Sequence, residues 1–304
     1  MKLSTYYTSC LTTVAVAVLA GMSTAHAQTF SFSDSATADP VSGTNYYTAT
    51  SGNNAGGTGG VLALSNDQFQ LNANGASLVV QSGSLSLTNT GYGFFVGQNS
   101  TGSLDVQGGT LTINDSMDSN GFGEQGVFFG NGSGVGTVTQ EAGTFNVIGG
   151  AQGLIIARGG GNGSLTLTGG VFDEEDSVGT TFGNNSGFGG NGTLTFGLGS
   201  GVFEQTASDA LTFINSGSYI NFLSGSSGQL SLNGANSSYF AGLVTSGDIL
   251  INGAAATSSE FVYSTSGSQG IYQLAAAPEP SMWALMLGGA GLLVLIRRRR
   301  AFIA

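Results

Sequence analysis

Cysteine, lysine and histidine are almost missing from this chain, and each scarcity removes a class of chemistry. The one cysteine, Cys10, lies ahead of an N-terminal apolar run. A lipoprotein cysteine would follow such a run, and one cysteine builds no disulfide framework. The one histidine, His26, stands just beyond the run. The remaining residues therefore offer no Ser-His-Asp set and no His-containing metal site. Lys2 is the only lysine, and Arg158 is the only cation between Gln28 and Ala277, against sixteen acidic residues there. A body near −15 repels anionic lipid and nucleic acid, which needs clustered Lys and Arg for phosphate contacts. No nucleic-acid partner is expected.

Glycine is abundant, at 53 of 304 residues, with 40% hydrophobic content. No strict Gly-X-Y period runs through it, so collagen is excluded. The hydrophobic share is too high for simple disorder and is enough for a core.

The N-terminus reads as a secretory signal over residues 1–27. Lys2 supplies the positive start, residues 11–20 the apolar run, and Ala25-His26-Ala27 a small-x-small cleavage site. Ala25 and Ala27 are the cleavage-site residues, which leaves Gln28 first in the mature chain.

The C-terminus, residues 276–304, has three parts in order. Pro278-Glu279-Pro280-Ser281 comes first, then an apolar run over 282–296, then Arg297, Arg298, Arg299 and Arg300. Fifteen residues span roughly 22 Å as a helix, short for the roughly 30 Å hydrocarbon layer. Trp283 at one end suits a headgroup region, and the arginines place the other end in the cytoplasm. The expected element is a C-terminal transmembrane helix. This arrangement resembles the PEP-CTERM sorting tail of exported proteins of Gram-negative bacteria. The resemblance covers about 27 residues. It implies that Pro278, Glu279 and Pro280 are read by an exosortase, a membrane protease-transpeptidase. The protein would then pass from an inner-membrane-tethered intermediate to the cell surface or matrix, in association with exopolysaccharide or biofilm. A plain C-terminal anchor is the competing reading.

Between these ends, residues 28–275 form a repeat. Leu78, Val80, Gly83, Leu85 and Leu87 set a template of two apolar positions two apart, a glycine, and two more. It recurs at Leu104, Val106, Gly109, Leu111 and Ile113, and again at Val138, Gln140, Gly143, Phe145 and Val147. Leu165, Leu167, Gly170 and Phe172 follow, then Leu194, Phe196, Gly201 and Phe203 with a two-residue insertion. Each of the last four segments follows a Gly-rich stretch and a short apolar run such as Val127-Phe128-Phe129. Period two marks strands with one buried face, and the glycines supply corners. The predicted fold is all-β, a parallel β-helix of roughly 26–34-residue coils. A β-sandwich or β-roll with Gly-rich hairpins is the alternative. The body also resembles, more weakly, the Gly-rich repeats of autotransporter-like adhesins.

The flanks are less regular. Leu62, Leu64, Phe69 and Leu71 keep the template spacing with Asp67 in the glycine place, and residues 28–54 are expected to cap the first coil. Residues 207–275 read as final coils plus a cap, with a small separate β domain as the alternative.

Asp173-Glu174-Glu175-Asp176 is the densest acidic run. Oxygen ligands suit Ca²⁺, although a solvated outward loop explains the run as well, and Asp115 and Asp118 read the same way. Arg158 is expected to pair with a carboxylate of a neighbouring coil. Asn131-Gly132-Ser133 and Asn191-Gly192-Thr193 read as turns before glycan sites. The expected function is non-enzymatic, with no catalytic residue and no required cofactor: an exported structural or adhesive protein whose partners are the exosortase and an extracellular polysaccharide. The alternative is a carbohydrate-active β-helix enzyme that uses carboxylates alone, since glycosidase chemistry needs only two.

Overall fold

The computed structural model describes residues 37–38, 44–48, 60–64, 68–71, 76–82, 84–89, 93–115, 126–149, 152–176, 178–183, 189–207 and 211–275. The signal segment and the tail, including Ala25, Ala27, Pro278, Glu279, Pro280, Trp283 and Arg297–Arg300, lie outside them.

Those residues form a parallel β-solenoid. Successive strands go in turn to three sheets, here A, B and C, so strand neighbours within a sheet come from successive coils. Sheet A holds short strands such as Val127–Asn131 and Leu154–Ile156. Sheet B holds Thr101–Val106, Val135–Gln140 and Asn162–Leu167. Sheet C holds Thr110–Asp115, Thr144–Ile148 and Val171–Glu174.

The register follows the repeat. Leu78, Leu104, Val138, Leu165, Leu194 and Ile220 stack as one column in sheet B. Alternate residues of each strand point inward, which the strand pattern of Val135–Gln140 displays as exposed and buried positions in turn. Aromatic rings fill the middle coils. Phe172 meets Phe145 edge-on at 4.7 Å and stacks on Phe203 at 5.4 Å, while Phe196 stacks on Phe222 at 4.4 Å.

Two columns of left-handed residues turn the chain. Gly109, Gly143 and Gly170 take φ of 72–74° between sheets B and C. Between sheets A and B the column is Gly97, Gly130, Ala157 and Gly183, where only Ala157 carries a side chain. The close approach of neighbouring coils adds a second reason for glycine at position 163. A Cβ there would stand 2.0 Å from the Phe129 carbonyl oxygen.

Two expectations for the flanks change. Leu62 pairs with Leu87 in sheet C, whereas Phe69 pairs with Phe94 in sheet A, so that segment turns the C-to-A corner and not the template's B-to-C corner. Within 28–54, strands Thr37–Ala38 and Thr44–Thr48 add to sheets A and B as parts of a coil rather than a cap. At the far end a helix, Ser237–Ser246, packs Phe240, Leu243 and Val244 against the last coil. Asn236 Oδ1 caps it by accepting from Tyr239 N–H at 3.0 Å, and Gly247 ends it in the left-handed region. The hairpin Phe261–Ser266 and Gln269–Leu274 then joins sheet C antiparallel to Gln229–Asn233, which closes the parallel series. These elements share one hydrophobic core with the coils before them.

Candidate functional site

The solenoid presents three different faces. On the outer side of sheet A a short, buried apolar stretch leads into Thr181 and Thr212. Phe95 stacks on Phe128 at 4.8 Å beside Ile155, all buried. The Arg158 guanidinium lies over the Phe128 ring at 4.9 Å, a cation–π contact.

The outer face of sheet B is polar and nearly uncharged. Ser103, Thr137, Ser164, Thr193 and Tyr219 form one row along the solenoid. Asp105, Thr139, Thr166, Thr195 and Asn221 form a second. Successive rungs are about 4.8 Å apart, and the two rows about 6.7 Å apart along each strand. Asp105 is the one carboxylate in the two rows, and it accepts a hydrogen bond from Gln107 Nε2 at 2.8 Å. The result is a flat grid of hydroxyl and amide groups on a rigid backing.

The outer face of sheet C is acidic in the middle. Asn146, Asp173, Glu204 and Ser231 stack as one row. Burial, with Glu175 and Glu204 close by, pushes the Asp173 carboxyl up to about 6. Thr206 Oγ1 donates to Asp173 Oδ1 at 3.3 Å and works against that rise.

Glu174 does not lie in an outward loop. It occupies the inward column between Val147 and Gln205 and is 0% exposed. The reason is strand parity: Phe172 points inward, so Glu174 must as well. Its Oε1 accepts from Asp176 N–H at 2.9 Å, while Oε2 is buried without a partner. Burial pushes this carboxyl up to about 8, with Asp176, Asp173 and Glu175 adding to the rise. Asp176 is also buried and raised by desolvation, although Val178 N–H donates to its Oδ1 at 2.7 Å. The acidic run therefore diverges. Among the described residues no group of three acidic, histidine or cysteine side chains converges to hold a metal.

Gln140, the other departure from the apolar template, is buried, with its amide nitrogen bonded and its Oε1 without a partner. Its Nε2 donates to the carbonyls of Gly143 at 3.2 Å and Val171 at 2.7 Å. Asn131 is a buried turn residue whose Oδ1 accepts from Gly132 N–H. Asp115 ends its strand, and Asp118 lies outside the described residues.

The sequence also hides a small cleft in the cap, bounded by the helix, the turn Ser258–Glu260 and the hairpin. Its clue was the aromatic cluster Tyr239, Phe240, Phe261, Tyr263 and Tyr272 in a region otherwise poor in template. Among the described residues no helix is long and apolar enough to cross a membrane. Comparison with protein-family models, curated proteins and solved structures finds no match for the chain.

Proposed function

We propose that the protein is an exported structural and adhesive component of a bacterial surface or extracellular matrix, and that it holds polysaccharide on the outer face of sheet B. The observation that carries this reading is the pair of polar, nearly uncharged rows from Ser103 to Asn221. A polysaccharide chain repeats hydroxyl donors and acceptors along its length. A stiff grid with the same chemistry binds it by many weak bonds that no single position dominates. The acidic, cation-poor body fits a neutral polymer better than an anionic one.

Delivery rests on the two ends. The signal over 1–27 exports the chain, and the tail over 276–304 halts it in the inner membrane with Arg297–Arg300 inside. An exosortase reading Pro278, Glu279 and Pro280 then releases the body. The mass of the protein recovered from culture medium tests this directly. The expected species starts at Gln28 and lacks the tail; a secreted species that still ends at Ala304 sinks the processing step.

For adhesion, the triple substitution Thr137→Val, Thr166→Val and Thr193→Val removes three hydroxyls and keeps β-branched side chains. Each lost bond is worth about 1 kcal/mol, or roughly fivefold. Retention on the host's matrix polysaccharide should fall steeply. Unchanged retention refutes the sheet B assignment.

A second reading, a carbohydrate-active enzyme that uses carboxylates alone, is favoured by Asp173 and Glu204 as direct neighbours on adjoining rungs. Two neighbouring carboxyl groups are the pairing such chemistry requires. Release of reducing sugar from the matrix polysaccharide, abolished by Glu204→Gln, would favour that reading over the scaffold.

A further inference from the structure

The cap cleft encloses about 330 Å³, at the lower end of the range for small-molecule sites. Its floor is a fixed aromatic stack. Phe240 lies on Tyr272 at 4.0 Å and 17°, and both are buried. The Tyr272 hydroxyl donates to the Asn236 carbonyl, which fixes that buried ring beneath the cleft. The walls are more open. Phe261 meets Phe240 edge-on at 5.0 Å, and Tyr263, 38% exposed, tilts against Tyr272 at 5.0 Å. Ser237 and Ser238 line the rim on the helix side and Ser258 on the opposite side.

No acid or base lines the cleft. The nearest carboxylate in sequence, Glu260, accepts from Thr257 N–H at 2.7 Å and from Thr257 Oγ1 at 2.9 Å, in a capping box. A cation therefore finds no counter-charge here, and an anion finds an acidic body around it. What remains is an aromatic surface, chiefly Phe261 and Tyr263, braced from beneath by a rigid stack and rimmed by hydroxyls. A neutral pyranose matches it, because one face of such a ring is a patch of C–H groups and its edge is a ring of hydroxyls. The rings are already packed on one another, so binding orders few side chains.

We infer that this cleft is a binding site for a single neutral pyranose unit, a chain end or side branch of the polymer, with Phe261 and Tyr263 as the stacking walls and Ser237, Ser238 and Ser258 as hydrogen-bonding rim. The choice of a sugar rests on the polysaccharide reading proposed for sheet B. The site itself is separate from that face, and it gives the solenoid a second, end-on contact.

The test is saturation-transfer NMR on the full chain with glucose, galactose, mannose and cellobiose, and glucuronic acid as the charged control. A neutral sugar should receive saturation at its ring C–H protons, and glucuronic acid should not. Tyr263→Ala should weaken the signal about tenfold, and Ser237→Ala with Ser238→Ala several-fold. Ala241→Phe, which fills the cleft from the helix side, should abolish it; should Tyr263→Ala fail to fold, this variant carries the test. Equal saturation of glucuronic acid, or full signal in Ala241→Phe, overturns the inference. The sheet B triple variant separates the two ideas. It should keep the sugar signal while it loses polymer retention. Loss of the sugar signal in that variant, with the cleft intact, overturns the cleft and leaves the sheet B reading standing. Sugar saturation without any polymer retention in the unaltered protein does the reverse.

Discussion

Replacing Glu174 by glutamine isolates the most unfavourable ionisation in the core. The carboxyl is fully buried in the column between Val147 and Gln205. Burial raises it from 4.5 to about 8 in the folded protein. A folded value above the unfolded one means the folded state holds the proton more tightly. The stabilisation is complete below about pH 4.5, declines as the pH rises, and is gone above about pH 8. The interval corresponds to roughly 5 kcal/mol. That is comparable to the whole stability of many domains. Glutamine keeps an acceptor for Asp176 N–H and cannot ionise. Chemical denaturation followed by far-UV circular dichroism, repeated across this pH range, should show the wild-type stability falling and the Glu174→Gln curve nearly flat at its upper end. Above pH 8 the variant should be the more stable by several kcal/mol. A smaller decline at lower pH should survive in the variant. Asp173, flanked by Glu175 and faced by Glu204, and the buried Asp176 are raised in the same direction. Glu174→Leu offers a control, since it suits the apolar column but leaves Asp176 N–H without its acceptor, at a cost of about 1–3 kcal/mol. Identical pH profiles for wild type and Glu174→Gln would refute the reasoning.

Other perturbations probe the corners and the core. Ala157 is the one residue with a side chain in its left-handed column, so Ala157→Gly should raise stability by up to about 1 kcal/mol, as the strain relieved exceeds the entropy lost; a lower melting temperature contradicts this. Gly163→Ala drives a Cβ into the Phe129 carbonyl and the Ala157 backbone nitrogen, and should cost more than about 4 kcal/mol in denaturant titrations. Gly253→Ala, with open space around the Cβ but φ of 75°, should cost only about 1–2 kcal/mol in the same assay. Phe172→Ala, which removes a buried ring touching Phe145 and Phe203, should cost about 3–5 kcal/mol.

The repeat was readable because stacking imposes one rule on every coil. Leu104, Val138, Leu165 and Leu194 must share a column; the first three recur five residues before the same corner glycine, and Leu194 keeps the column across a two-residue insertion. What escaped reading was of two kinds. Leu62 to Leu71 satisfies the template at two different corners, and only pairing with the following coil decides between them. Glu174 was placed outside by its charge, whereas strand parity puts it inside; parity is the stronger constraint, because a one-residue slip would turn Phe172 out to solvent. The closing helix carried ordinary signals, with Asn236 before it, Gly247 after it and Phe240, Leu243 and Val244 at helical spacing. Its serines and its place in a Gly-rich chain hid them. The cap cleft left only its aromatic residues as a clue, since its walls come from a helix, a turn and two strands brought together only by the cap.

The three faces also bear on scaffold against catalyst. The run 173–176 sends Asp173 to one side of the strand and Glu174 to the other, so a catalyst of this composition would have to rest on Asp173 and its neighbour Glu204. Sheet B shows the opposite economy: chemically similar, neutral groups are repeated on consecutive rungs, which gains nothing for a single reaction centre and a great deal for grip along a polymer. The acidic row on sheet C sets two such solenoids against each other by charge, so that face is the poorer choice for packing copies together. Sheet B has no such penalty. On the proposed reading, a polymer laid there could be reached by more than one copy, and the neutral faces would then cross-link chains. Added salt is the discriminating variable. Retention through hydroxyl rows should hold when ionic strength rises, whereas retention through the acidic row would change sharply.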